Sequence, residues 1–370
     1  MAEINNSYVP VYISLAKYSD SKIDITRCEV LPGVRLERIP SYRFRMIDEI
    51  NRIHGLPMPF KPTHGINIDN RKYRKNLAKR LINEGRTEEE VSEHFRLRLF
   101  PLHSKSPEER KLEEENQLDS AIVSAFDIAK HVLMSIVLIQ PSPVDIGSQY
   151  SFKIKTEGSK PTYWLSSAQP PLEAPATDRL EGVIHQESAP RVNRRNITRL
   201  ASALEKYYRP AYWLADRMAI ALNSFWTGLR SSHLDQIFLS MTVVLEALLS
   251  TSNEGITHQI AERAAVLLSK DANERYNIYE QVRNLYNIRS KIIHGKAFPK
   301  KGVQTWESLV IDAKMATVPV SKVSELVGIA SKLIRTVLNN QELVSIVQRL
   351  GSEETVSRKL NEFFLKRLFE

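Results

Sequence analysis

The sequence predicts an α+β N-terminal domain followed by an all-α helical bundle, so that the chain is mainly helical overall. Three observations predict it. β-Branched and aromatic segments broken by proline and glycine lie within the first 165 residues, which is the composition of strands and turns. A stretch with four prolines and little periodicity spans 166–196. Beyond it apolar residues recur at three- and four-residue spacing almost to the C-terminus, as amphipathic helices require.

Residues 1–165 form the expected α+β domain. Tyr8-Val-Pro-Val-Tyr-Ile-Ser-Leu and Glu29-Val-Leu-Pro-Gly-Val-Arg-Leu suit strands and turns. Thr87-Glu-Glu-Glu90 and Ser106-Pro-Glu-Glu109 read as capping boxes that start helices. The second should run through Ser120-Ala-Ile-Val-Ser-Ala-Phe to about Leu138, before a strand at Tyr150-Ser-Phe-Lys-Ile-Lys. Residues 166–196 are a connector ending in Arg191, Arg194, Arg195 and Arg199, a solvated helix start or an RNA-contacting edge. Residues 197–350 form the bundle, with helices expected over Ile197–Tyr208, from Pro210 to about Leu229, from His233, over Ile256–Leu268 and from Asn273 to about His294. Gly295 then ends the fifth as its C′ residue. Val320 to about Leu350 supplies one long or two shorter helices, and residues 351–370 add a last one.

The chain of 370 residues is 42% apolar and 26% charged, enough for two domains with cores of their own. Its 52 Lys and Arg exceed 43 Asp and Glu, for a net charge of +9. That excess suits an anionic partner such as nucleic acid. A single cysteine, Cys28, excludes an intramolecular disulfide and any multi-cysteine zinc site. The start MAEINNSY lacks an apolar signal region. The most apolar run, Val132–Ile139, is far short of the roughly 20 residues of a membrane helix. A soluble, cytoplasmic protein without membrane association is therefore expected. There is no P-loop, no G-x-G-x-x-G and no H-E-x-x-H, and the nine histidines are scattered singly. No cofactor and no metal are expected.

The fifth helix of the bundle holds one anomaly. Its apolar stripe runs Ile278, Val282, Leu285, 289 and Ile292, in steps of 4, 3, 4 and 3, and position 289 is Arg289. An arginine in a core-facing slot is costly unless it is paired or faces a cleft. His294 follows five residues later at the helix end, where the helix dipole favours a positive charge. A snorkelling arginine and a simple histidine cap explain the same spacing, and spacing alone leaves both open.

Leu285-Tyr-Asn-Ile-Arg-Ser-Lys-Ile-Ile-His-Gly295 closely resembles the signature helix of the HEPN superfamily, most of all its Apea-like branch. Met241-Thr-Val-Val-Leu-Glu-Ala-Leu-Leu249 is similar to that branch's apolar helix with an internal glutamate, and His258-Gln-Ile-Ala-Glu-Arg-Ala-Ala-Val-Leu-Leu268 to its following Glu-Arg helix. The resemblance covers roughly 197–345 and leaves the N-terminal half unplaced. It implies a helical bundle that dimerises and a metal-independent endoribonuclease whose catalytic pair is Arg289 and His294. The family often has Asn, Asp or His after the arginine; here it is Ser290, which keeps a hydroxyl but carries no charge.

The two residue types suit RNA cleavage. RNA brings its own nucleophile, the 2′-OH, and a histidine moving that proton contributes typically ~10²–10⁴-fold. A guanidinium offers a planar fork of donors to the phosphate oxygens. One histidine does not easily act as base and acid at once; the dimer that the resemblance implies would place two in one cleft. The products would be a 2′,3′-cyclic phosphate and a 5′-OH.

Other polar residues carry smaller expectations. Glu246, among Val244, Leu245 and Leu248, is expected to pair with Arg263 or Arg289, as a structural ion pair or at the site itself. Glu262-Arg263 is expected to be a fold-holding pair. Tyr286 either stacks on a base or packs in a core or dimer interface. Asn287 and Lys291 either contact phosphate or lie on a solvated face, and Lys296, Lys300 and Lys301 would extend an RNA track. The expected partners are transfer or messenger RNA, a second copy of the chain, and a phage-derived trigger or inhibitory partner such as an antitoxin. The expected role is that of a prokaryotic anti-phage defence or toxin effector whose N-terminal domain senses a trigger or holds the nuclease off. The rival is a non-catalytic HEPN module binding RNA, nucleotides or protein, which a dry Glu246–Arg289 pair away from any dimer cleft would favour.

Overall fold

The computed structural model describes residues 11–17, 26–38, 64–68, 70–83, 128–129, 131–141, 144–157, 160–169, 192–207, 216–231, 233–252, 254–294, 318–347 and 352–368. The chain is mainly helical with an N-terminal sheet, and it divides into two compact units. One comprises residues 1–133, 144–174 and 192–202, and the other 134–143, 175–191 and 203–370.

The first unit is built on β1 (Val11–Lys17), β2 (Arg27–Leu31), β3 (Val34–Arg38), β4 (His64–Ile68), β5 (Val144–Glu157) and β6 (Lys160–Gln169), with α1 (Asn70–Asn83) after β4. The strands form one antiparallel sheet in the order β2-β3-β4-β1-β5-β6. Val34 and Leu36 of β3 lie opposite Ile68 and Ile66 of β4, and all four are buried, as alternate residues on a covered sheet face are. The β2–β3 turn needs Gly33, whose φ of 83° is left-handed. Its N–H donates to Glu29 Oε1 at 2.9 Å, and Lys72 of α1 reaches the same oxygen at 2.6 Å. Lys72 and the Gly33 amide hold the Glu29 carboxyl below its usual range. The sheet runs to Gln169, past the expected edge of the domain at 165, because β6 pairs with β5 along its whole length.

Helix α2 (Arg194–Tyr207) crosses the division between the units, as does a helical run at 131–139. The helices beyond belong to the second unit: α3 (Arg217–Leu229), α4 (Leu234–Leu249), α5 (Ile256–Leu268), α6 (Ala272–Ile293), α7 (Val320–Leu338), α8 (Gln341–Val347) and α9 (Glu353–Leu368). The region expected to be one long or two shorter helices is α7 and α8. Apolar faces of α3 to α7 bury Phe225, Phe238, Met241, Leu245, Ile260, Leu285 and Leu333. At the closest approach of α3 to α4, Gly228 leaves room where a Cβ would stand 2.7 Å from Ser240 Cβ. Arg217 ties α3 to α9 through Glu353 and Ser357, and also donates to the Ser250 carbonyl.

The helix starts expected at Thr87, Ser106 and Pro210 lie outside the described residues, as do Arg191, Gly295, Lys296, Lys300 and Lys301.

Candidate active site

Helix α6 carries the site, and its rotation is set at its start. Asp271 accepts from the Glu274 N–H at 2.8 Å, while Glu274 accepts the Ser269 hydroxyl at 2.5 Å. The first of these bonds satisfies a first-turn amide, and the helix starts at Ala272. Ile278, Val282 and Leu285 then bury along one side. Position 289 falls on the same side, so the stem of Arg289 is directed at α4.

There it meets Glu246. Arg289 Nη2 lies 2.7 Å from Glu246 Oε1, with side chains 27% and 21% exposed. The pair is neither dry nor fully solvated. Tyr286, one turn before, is buried, and its ring centroid is 5.7 Å from the guanidinium carbon. The Tyr286 hydroxyl stands 3.4 Å from both the Thr242 carbonyl and Glu246 Oε1. Burial raises the Glu246 carboxyl above its usual range, although Arg289 and the tyrosine hydroxyl oppose that shift. Burial pushes the Tyr286 phenol well up, and the Glu246 charge adds to it. Arg289 Nε is buried without a hydrogen-bond partner among the described residues. The result is a cation held by one bond to a carboxylate, with donors left over.

His294 caps the C-terminus of α6, its N–H donating to the Ser290 carbonyl at 3.1 Å, and its side chain is exposed. On a regular helix five residues correspond to a rotation of about 140°. Arg289 faces α4, therefore, while His294 faces away from it.

The structure brings Glu246, Tyr286 and Arg289 together and leaves Asn287, Ser290, Lys291 and His294 exposed on the outer side of α6. Of the two cations open to Glu246 in the sequence, Arg289 is the partner. Arg263 does hold the fold, but not as an ion pair with Glu262. It donates to the Leu249 carbonyl at 2.5 Å and to Asn361, and it stacks on Phe364. Adjacent helical side chains do not face one another, so Glu262 acts on Arg263 only through its field. Arg194, Arg195 and Arg199 are exposed at the start of α2.

A cleft of about 580 Å³, not singled out in the sequence, opens between the first turn of α5 and the outer side of α6. His258 Nδ1 and the Tyr279 hydroxyl lie 2.9 Å apart across it, and Arg283 and Asn287 continue its α6 wall. The signal was present: Tyr279, Arg283, Asn287, Ser290 and His294 follow steps of 4, 4, 3 and 4, a polar stripe on one helix face.

No family model matches the chain, and no curated protein and no solved structure is significantly similar to it. Among the described residues, no helix is long and apolar enough to cross a membrane, and no cluster of three or more metal-ligating side chains forms.

Proposed function

We propose that the protein is a metal-independent endoribonuclease of HEPN type, acting through Arg289 and His294. The observation that supports it best is the state of Arg289. The Arg289 side chain occupies a core-facing slot of α6, yet it is 27% exposed and paired with a single carboxylate. An arginine kept only to snorkel would place its head in water, and one kept only for a buried pair would be shielded from it. A partly exposed, singly paired arginine side chain suits an anion that arrives from solution.

In the reaction, a base takes the proton of the ribose 2′-OH and the 2′-oxygen attacks phosphorus. The bond to the 5′-oxygen breaks, and that oxygen receives a proton. The ends are a 2′,3′-cyclic phosphate and a 5′-OH. An imidazole has one nitrogen that can accept a proton and one that can donate it, so an exposed His294 is suited to either transfer. Arg289 stabilises the charge that builds on the phosphate oxygens, often the largest contribution to such catalysis. Because the two side chains leave α6 on different sides, we place the complete site between two copies, each supplying a histidine. The biological setting we favour is a cytoplasmic prokaryotic defence or toxin effector cutting transfer or messenger RNA, with the N-terminal unit sensing a trigger.

One observation favours the rival, a non-catalytic binding module: Glu246 already neutralises Arg289. Cleavage of total RNA in EDTA by wild type, Arg289→Ala and His294→Ala separates the two. The nuclease reading expects cyclic-phosphate ends from wild type and none from either folded variant. Cutting that survives both substitutions would move the site elsewhere. Absence of cutting by wild-type dimer that binds RNA would favour the binding module.

A further inference from the structure

The cleft between α5 and α6 has the parts of a nucleotide subsite. His258 and Tyr279 stand edge to face, with ring centroids 5.6 Å apart and planes at 80°. Two ring planes at nearly right angles make a corner into which a flat base fits, its face on one ring and its edge towards the other. His258 Nδ1 is engaged by the Tyr279 hydroxyl at 2.9 Å, which fixes the imidazole. Arg283 lies over Tyr279 at 5.9 Å and pairs with Glu280 at 2.7 Å. That pair spans one exposed helix turn, and such pairs are weak enough for a phosphate to displace. Asn287 adds an amide able to donate and accept.

The placement of the cleft is as informative as its content. On a regular helix Tyr279, Arg283, Asn287, Ser290 and His294 fall within an arc of about 80°. Arg283 stands about 16 Å along the axis from His294, a distance of a few nucleotides. We infer that the His258–Tyr279–Arg283 cleft holds a base and phosphate of the single-stranded RNA a few nucleotides from the bond cut at His294, so that α6 is the track along which substrate lies. The inference rests on the ribonuclease reading for the identity of the strand. Stacking on aromatic rings and guanidinium planes, with a cation on the backbone, is how proteins hold unpaired RNA.

The test uses the full chain in a His294→Ala background, binding a short fluorescein-labelled single-stranded RNA followed by anisotropy across a salt series. Arg283→Ala should weaken binding about tenfold at moderate salt and make the slope of log K against log salt shallower by about 0.7. Tyr279→Leu should weaken it by about five- to a hundredfold while Tyr279→Phe retains stacking. With His294 restored, Arg283→Ala should raise KM and leave kcat unchanged, as lost ground-state binding does. Parent-like affinity and salt slope in both Arg283→Ala and Tyr279→Leu would overturn the inference and leave the nuclease standing if wild type still cuts. Failure of the parent to bind RNA would overturn it as well. RNA bound through the cleft but never cut by wild type would sink the nuclease reading alone.

Discussion

Arg289 on α6 and Glu246 on α4 form an ion pair of 2.7 Å whose side chains remain 27% and 21% exposed. A phosphate approaching Arg289 must share it with this carboxylate and suffers its repulsion. Glu246→Gln keeps the shape and removes the charge. The expected result is tighter RNA binding at low salt, by roughly three- to tenfold, or about 1 kcal/mol. Fluorescence anisotropy reads it directly. Weaker binding would mean that the carboxylate orients the arginine more than it competes for it.

The same residue predicts a pH dependence of stability. Burial raises the folded Glu246 carboxyl above its usual range, so between the unfolded and folded pKa values the native state binds more protons than the unfolded state. Stability contributed by Glu246 is then complete below the unfolded pKa and is lost as pH rises through the folded one. Urea denaturation across the carboxylate range should show wild type losing stability with rising pH relative to Glu246→Gln. Parallel curves would contradict this.

Tyr286 separates packing from polarity. Its ring is buried, and its hydroxyl contacts are long, at 3.4 Å. Tyr286→Phe should cost no more than about 1 kcal/mol. Tyr286→Ala removes a buried ring and should cost about 3–5 kcal/mol. Equal losses in chemical denaturation would mean that the hydroxyl, not the ring, matters.

Gly228 tests the contact that positions α4. An added Cβ would meet Ser240 Cβ at 2.7 Å and Met241 Cε at 2.8 Å. The methionine methyl can swing away, but a Cβ cannot. Gly228→Ala should destabilise by about 1–3 kcal/mol, and adding Ser240→Gly should restore part of it. A thermal midpoint unchanged by the single substitution would show that α3 and α4 separate freely.

Much of this architecture was legible in the sequence because helices announce themselves by period. The expected span Ile256–Leu268 is the observed α5, and the stripe through Ile278, Val282 and Leu285 located Arg289 as an intruder on a buried face. The start of α6 was missed by one residue because the cap, Asp271, is polar and lies outside the apolar pattern.

What the sequence determined alone is therefore the class of the chain, mixed then helical, and the residue that breaks a rule. It left open which cation Glu246 would meet and whether the meeting would be dry. It also suggested Glu262 for Arg263, where the fold supplies Leu249 and Asn361 instead. Those outcomes belong to the tertiary structure for one reason. Periodicity states which way a side chain points, but a partner and its access to water come from another helix, and that depends on how α4, α5 and α6 pack.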